Sequence, residues 1–257
     1  MNKDINVVIN LNRNLTVPFK TTIGQLALQN YDVCADKIVG AKINNQIVDF
    51  DYELKKDDQI EFFDINTLDG YKMNQAGLKF VLECAIKDNF SQNIEISYDH
   101  SIGNGIHTTI LNYDNFTKED TIKLKKYMDE LIASDEKFTK LNIHAKEATI
   151  FYQKLNVMEK ALNIHNISNN IIVLYKLKNH YNYFYQELPY STSYLNDFEL
   201  VFIDKNEIAI VLPTNHTFNL VEYKKYDKIT QCFKNDMKLL DSYKLPYICN
   251  INKAVSK

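Results

Sequence analysis

The sequence predicts an α+β protein in which a small sheet packs around one helix. A larger mixed domain is predicted to follow it. Runs with alternating apolar residues predict half-buried strands. Runs with apolar residues three and four positions apart predict amphipathic helices. The order of the first segments, two strands and a helix followed by short strands, fits a small sheet around one helix within residues 1–66.

The first region opens with a predicted strand at residues 5–11, because Ile5, Val7, Ile9 and Leu11 alternate with other side chains. A turn at 12–14 leads into a return strand whose apolar positions are Leu15, Val17 and Phe19. Thr22 is suited to cap a short helix. The apolar stripe of that helix holds Ile23, Leu26, Ala27 and Tyr31. Further strands are predicted at 38–43, 47–50 and 59–65.

An acidic stretch runs from Asp49 to Asp69, with Lys55 and Lys56 as its basic residues. We interpret it as a solvated hairpin face. Such a face would repel a phosphate backbone, which weakens an RNA-binding role for this part of the chain.

The second region begins after residues 66–70, which resemble a domain joint. A helix is predicted at 73–88. A hairpin is predicted around 102–105, where Asn104-Gly105 is a strong turn signal. Thr117 opens a sequence suited to a capping box and an amphipathic helix. Further strands are predicted at 138–143, 170–177, 181–187, 197–203 and 208–212, with helices at 145–155 and 157–163.

The C-terminal region is predicted to hold one clear helix at 228–243. Its apolar stripe of Ile229, Phe233, Met237 and Leu240 is expected to point inward. Residues 250–257 are expected to be a frayed end or the start of a linker. The expected domains are therefore 1–66, 70–223 and 224–257.

Composition excludes several classes of protein. A net charge of −3 and a pI near 6.1 argue against a dominant non-specific grip on nucleic acid. No apolar run approaches the length of about 20 residues that spans a bilayer, and the N-terminus has no signal-peptide pattern. We therefore expect a cytoplasmic protein without a membrane partner. No Cys-x-x-Cys motif and no histidine pair at helical spacing occurs, so no metal site is expected.

Two adjoining segments carry a resemblance to known proteins. Residues 47–63, IVDFDYELKKDDQIEFF, resemble the closing hairpin of a β-grasp domain of the TGS type. Residues 70–90, GYKMNQAGLKFVLECAIKDNF, resemble the first helix of the domain that follows TGS in threonyl-tRNA synthetases and that also occurs in alanyl-tRNA synthetases. The resemblance extends over residues 1–66 and 70–212. It implies a β-grasp domain followed by an α+β domain of the editing type.

In those synthetases this second domain hydrolyses wrongly charged tRNA with a His-x-x-x-His on its first helix and a later Cys-x-x-x-His. Ala76 and Phe80 occupy the two helix positions here. The later pair falls near Tyr183 or Phe184 and near Glu187 or Leu188. No imidazole or thiolate is supplied, so we expect neither a catalytic residue nor a zinc ion in this chain.

A second resemblance is to the N-terminal region of bacterial nucleoside kinases of the uridine kinase family. It rests on Asn182–Tyr185, Pro189–Leu195, Phe198–Leu200 and Ile208–Pro213. It implies an accessory or regulatory region whose partner is a kinase domain in cis. The chain contains no phosphate-binding loop, so ATP and Mg²⁺ are expected only for that absent domain. The alternatives are an editing or tRNA-binding fragment of a threonyl-tRNA synthetase, and a stand-alone RNA- or nucleotide-binding module.

A ligand site, if there is one, is expected in a cleft between Ala76/Phe80 and residues 183–192. An apolar pocket with a few converging polar groups is the usual form of such a site. A nucleoside or nucleotide is the expected ligand, and its partners there would be Lys79, His107, Tyr183, Tyr185, Ser191 and Thr192.

Each of these residues also has a purely structural interpretation. The tyrosines fit two strands with half of their rings in the core. Ser191 and Thr192 fit a turn in which their hydroxyl groups bond the backbone. Lys79 and His107 fit a solvated lysine and a surface histidine.

Overall fold

The computed structural model describes residues 4–10, 12–29, 34, 37–91, 94–165, 170–195, 197–213, 222–224, 226–245 and 247–255. Three sheets are formed within these residues. Among the described helices, none combines the length and apolar character needed to cross a bilayer.

The first sheet has five strands in the order β2-β1-β5-β3-β4. The strands pair antiparallel except for β1 and β5, which are parallel. The elements are β1 (Asp4–Ile9), β2 (Arg13–Pro18), α1 (Ile23–Gln29), β3 (Ile38–Ile43), β4 (Gln46–Val48) and β5 (Gln59–Asp64).

The helix α1 covers one face of this sheet, as the sequence predicts. Ile5, Val7 and Ile9 are buried and so are the α1 residues Ile23, Leu26 and Ala27. The hydroxyl of Thr22 accepts the amide of Gln25 at 3.3 Å, which caps the helix. Phe19 was expected to be on the apolar face of the return strand, but β2 ends at Pro18 and Phe19 is 58% exposed. Leu11 and Tyr31 lie outside the described residues.

Residues 66 and 67 of the expected joint precede the long helix α2 (Leu68–Asn89), and residues 68–70 belong to its first turn. Thr67 caps this helix by accepting the amide of Gly70 at 3.1 Å. A Cβ atom at Gly70 would lie 2.1 Å from the carbonyl oxygen of Asp64, which is the last residue of β5. Glycine therefore allows the helix to begin almost directly after the sheet.

The larger region contains a four-stranded sheet in the order β11-β12-β7-β6 and a three-stranded sheet in the order β10-β9-β8. All pairs in both sheets are antiparallel. The elements are β6 (Glu95–Ile102), β7 (Gly105–Leu111), α3 (Lys118–Ala133), β8 (Thr139–His144), α4 (Ala145–Lys154), α5 (Met158–His165), β9 (Ile171–Leu177), β10 (His180–Tyr183), β11 (Glu199–Asp204) and β12 (Glu207–Val211).

Local signals in this region are confirmed. The predicted β6–β7 hairpin is present, but its turn is Gly103-Asn104 rather than Asn104-Gly105, and the φ of 61° at Gly103 favours glycine. Thr117 and Asp120 form the reciprocal hydrogen bonds of a capping box at the start of α3. Two expectations are wrong: β10 ends at Tyr183 rather than at residue 187, and Leu155, placed on the apolar face of α4, is 55% exposed.

The main core lies between α2, α3 and one face of the four-stranded sheet, with Phe80, Leu82, Leu124, Ile110 and Ile210 among its buried residues. A separate cluster lies between the helix pair α4–α5 and the three-stranded sheet. These two cores together position the side chains of the cleft described below.

The small sheet contacts the larger region through aromatic rings and ion pairs. The ring of Phe50 stacks on that of Tyr190 with centroids 5.7 Å apart. Lys137 Nζ lies 2.7 Å from Asp51 Oδ2, and Lys140 Nζ lies 3.5 Å from Asp49 Oδ2. The acidic stretch is therefore not simply a solvated face, because part of it is paired across this contact.

The C-terminal region differs most from its prediction. It forms α6 (Asp227–Ser242) and α7 (Ile248–Val255). The stripe expected to point inward is largely exposed: 46% for Ile229, 39% for Phe233 and 39% for Met237. Residues 250–255 of the expected frayed end belong to the helix α7, in which Cys249 is buried, and residues 256–257 lie outside the described part of the chain.

Candidate functional site

A cleft of about 290 Å³ lies between α2 and the segment 182–186. It overlaps in part with the cleft expected between Ala76/Phe80 and residues 183–192, because Ala76 and residues 183–186 line it and Phe80 and residues 187–192 do not. Among the residues that line it are Ala76, Lys79, Glu83, Tyr98, Tyr183 and Tyr185.

The two helix positions that carry histidines in the editing enzymes are apolar, and both are buried, but only one of them lines the cleft. Ala76 lines the cleft. Phe80 is 1% exposed, and its ring packs 5.4 Å from Phe184 and 6.1 Å from Phe138, measured between centroids. The space that an imidazole would need is therefore part of the core. Within the described residues, no group of three or more His, Cys, Asp or Glu side chains is arranged to hold a metal ion.

Lys79 lies in the cleft beside Tyr98. Its Nζ is 5.0 Å from the centre of the Tyr98 ring, and the Tyr98 hydroxyl donates to the Lys79 carbonyl oxygen at 2.7 Å. Burial lowers the pKa of Lys79, and the charge of Glu83 partly opposes this. Tyr98 is a cleft residue that sequence reasoning missed.

A polar network lies behind the aromatic tract. The Asn182 amide donates to both carboxylate oxygens of Glu83, at 2.7 and 2.9 Å. Lys160 Nζ donates to Asn182 Oδ1 at 2.9 Å and lies 3.8 Å from Glu83 Oε2. Sequence reasoning missed Glu83 and Lys160, because they lie on α2 and α5 and meet only through the fold.

The aromatic tract divides between structural and accessible rings. Phe184 packs against the main core. Tyr183 is half-buried, and its ring centroid lies 6.0 Å from that of Tyr152. Burial is the main cause that raises the pKa of Tyr183 to about 12, and the charge of Tyr185 is the second cause. Tyr185 is 81% exposed. Only Tyr185 within residues 183–185 offers an open ring face.

Ser191 and Thr192 were expected in the cleft, but they do not line it. Both are buried. Ser191 donates to the Asp135 carboxylate. Thr192 Oγ1 donates to the Leu131 carbonyl oxygen at 2.9 Å and accepts the Glu136 amide at 2.9 Å. Only Thr192 bonds the backbone as its structural interpretation expects, since Ser191 bonds a side chain, and both residues connect the chain to the end of α3.

His107 was also expected beside the cleft, but it faces the opposite side of the four-stranded sheet. Tyr98 on β6 points toward α2, whereas Asp99 and His100 both lie on the opposite face, because the strand register shifts between Tyr98 and His100. His107 Nδ1 lies 3.2 Å from Asp99 Oδ2. The sequence could not show this because the choice of face depends on strand register.

The comparisons with known proteins found one domain model and a group of related proteins. The model of the TGS domain matches residues 5–64. A threonine–tRNA ligase from Polaromonas sp. (strain JS666 / ATCC BAA-500) is 26% identical over 160 residues, which covers 62% of this chain and 25% of that protein. The corresponding ligase of Ehrlichia chaffeensis is 25% identical over 142 residues, covering 55% and 22%. The matched region thus spans about a quarter of the length of these relatives.

These findings support one resemblance and overturn the other. The chain is an α+β protein with a TGS-type β-grasp domain followed by a mixed domain similar to part of threonine–tRNA ligases. The identification with the uridine kinase family is wrong, because these relatives are ligases and nothing points to a nucleoside kinase. The expectation of a kinase domain as a partner in cis is wrong for the same reason. ATP and Mg²⁺ were expected only for that domain, so the expectation of these ligands no longer has support.

Proposed function

We propose that this chain is a tRNA-binding region related to the N-terminal part of threonine–tRNA ligases, and that it acts in the cytoplasm. In this proposal the cleft between α2 and residues 182–186 receives the single-stranded 3′ end of a tRNA and does not hydrolyse it. The observation that carries the proposal is the exposed ring of Tyr185 at a cleft that is also lined by Lys72, Lys79 and Lys160.

The chemistry of the cleft suits an unpaired RNA end. Proteins recognise single-stranded RNA by stacking unpaired bases on aromatic rings, while lysines attract the phosphates. Three lysines and one carboxylate line the cleft, and that carboxylate, Glu83, is already bound by Asn182. The cleft is therefore locally basic although the net charge of the chain is −3.

The same residues do not favour hydrolysis of an aminoacyl ester. A general base must reach the attacking water and have a pKa near the working pH. Glu83 is held by Asn182 and Lys160, and burial raises the pKa of Tyr183 to about 12. Ala76 and Phe80 supply no proton acceptor. Lys79, whose titratable amine on α2 also lines this cleft, is assigned to phosphate binding in this proposal, and binding without deacylation is then expected.

The test is a titration of the full chain with fluorescently labelled tRNA(Thr), with and without its 3′-terminal CCA. Tyr185→Ala should weaken binding of the intact tRNA by about 5- to 100-fold, the range expected for loss of one stacked base. Lys79→Ala should weaken it less and reduce the salt dependence by about one phosphate contact.

Matched controls separate this site from general charge and from other exposed rings. Tyr243→Ala removes another exposed tyrosine, and Lys126→Ala removes an exposed lysine outside the cleft. Both variants should bind tRNA(Thr) like the unmodified chain. In a separate assay, seryl-tRNA(Thr) should stay acylated in the presence of the unmodified chain. Equal affinity for tRNA with and without CCA, or deacylation that follows the pure protein, would contradict the proposal.

A further inference from the structure

The outer face of the four-stranded sheet carries a stack of three rings that joins it to α6. The ring of Phe233 on α6 lies 4.3 Å from that of His100 on β6, with 6° between the planes. His100 lies in turn 4.6 Å from His107 on β7, with 10° between the planes. Nothing in the cleft uses these side chains.

Charged groups surround the stack on each packed element. His107 lies 3.2 Å from Asp99 and 3.5 Å from Glu207 on β12. Lys234 of α6 lies 2.6 Å from Glu207. Tyr223 is also close enough to Glu207 to interact with its charge.

His100 is the member of the stack without a polar contact. Both of its ring nitrogens are buried and have no hydrogen-bond partner among the described residues. A neutral imidazole tolerates this position as an aromatic ring. A protonated imidazole has two N–H donors and a full charge, and burying it without hydrogen-bond partners is costly, although the charges of Asp99 and Glu207 offset part of that cost.

Apart from this ring stack, little holds the helix α6 to the sheet. The whole of α6 is described, and Thr230 is its one buried residue. The Thr230 hydroxyl is buried without a hydrogen-bond partner among the described residues, which disfavours docking. Ile229 and Met237 remain 46% and 39% exposed. The energetic balance of docking is therefore sensitive to one charge.

We propose that α6 docks on the sheet through a proton-sensitive latch, in which neutral His100 stacks on Phe233 and protonation of His100 releases the helix. Release would expose the polar outer face around Asp99 and Glu207 together with the apolar stripe of α6. The C-terminal segment would thus change its position in response to pH.

The sign of the effect follows from the surroundings of His100. Burial lowers its pKa from an ordinary value near 6.5, and the charges of His107 and Lys234 lower it further, while Asp99 and Glu207 oppose the shift. The docked state therefore binds fewer protons than the released state. Docking is fully favourable above about pH 6.5 and weakens as the pH falls below that value.

The experiment is hydrogen exchange of the full chain between about pH 8 and about pH 5.5, corrected for the intrinsic pH dependence of exchange. Protection of the amides of residues 227–242 should fall by about threefold or more across this range, while that of α2 stays constant. His100→Phe keeps a stacking ring without a titratable nitrogen, so α6 should stay protected at both ends of the range.

Two further variants keep the outcome decisive. His144→Phe removes an exposed histidine on β8 and should behave like the unmodified chain. Phe233→Ala should leave α6 poorly protected at every pH. The latch is disproved if α6 protection does not change with pH, if His100→Phe keeps the pH dependence, or if α2 loses protection in parallel with α6.

Discussion

The two faces of the four-stranded sheet are held by different forces although the same strands supply both. The inner face presents Ile106, Ile110, Ile208 and Ile210 to α2 and α3, and all four are buried. The outer face carries Asp99, His100, His107 and Glu207, whose contacts with one another and with α6 are polar or aromatic, beside the buried apolar residues Ala209 and Val211.

This difference shows how one sheet combines a permanent and a conditional contact. Burial of an apolar side chain removes it from water at any pH, so the inner face is stable under all ordinary conditions. The outer face depends on hydrogen bonds and charges, whose contribution changes when one group gains or loses a proton. Mutations on the two faces should therefore differ in size and in pH dependence.

The largest effect is expected from Ile210→Ala on the inner face. Ile210 is fully buried, so its truncation leaves a cavity and should lower the free energy of unfolding by about 2–5 kcal/mol at any pH where the chain folds. Urea unfolding followed by circular dichroism measures this. Ile122→Ala on α3 is the control, because Ile122 is 62% exposed and its loss should cost less than about 0.5 kcal/mol.

An intermediate effect is expected from Asp99→Asn on the outer face. Burial alone would raise the pKa of Asp99, but hydrogen bonds from His107, Ser97 and Thr109 outweigh it and hold the pKa below the ordinary 3.8. A carboxylate of this kind stabilises the fold above its unfolded pKa and loses that contribution as the pH falls through the folded pKa.

The substitution should therefore cost about 1–3 kcal/mol near neutral pH, and the difference from the unmodified chain should shrink as the pH falls below about 4. Urea unfolding of both chains, near neutral pH and again below about pH 4, measures the difference in their free energies of unfolding at each pH. An equal cost at both would show that the ionised form of Asp99 contributes nothing to the outer face.

The smallest effect on global stability is expected from Phe233→Ala. Phe233 is 39% exposed and touches the sheet mainly through His100, so the cost in urea unfolding should be below about 1 kcal/mol. A loss comparable to that of Ile210→Ala would remove the distinction between the two faces, because α6 would then be part of the permanent core.

The candidate cleft was predictable only in part. The resemblance to the editing domain places Ala76 on α2 opposite the aromatic tract, and the structure brings Ala76, Lys79, Tyr183 and Tyr185 together. It could not exclude Ser191 and Thr192, because a hydroxyl after a proline looks the same whether it faces a ligand or a buried carbonyl. Glu83 and Lys160 were missed for the opposite reason, since their meeting depends on how two helices pack.

The local elements of the fold follow directly from the pattern of amino acids. Alternation fixed β1 and the direction of its buried face, Thr117 and Asp120 fixed the start of α3, and Gly103 fixed the β6–β7 turn. These features depend on side chains a few residues apart, and their energetics are complete within one element.

Tertiary structure alone decided which faces those elements bury. The apolar stripe of α6 predicts a buried helix, yet the sheet beside it offers polar side chains and the stripe stays half exposed. His107 faces away from the cleft because register places Ile106 in the core. A periodic pattern shows that a face is apolar, but only the packed partner determines whether that face leaves water.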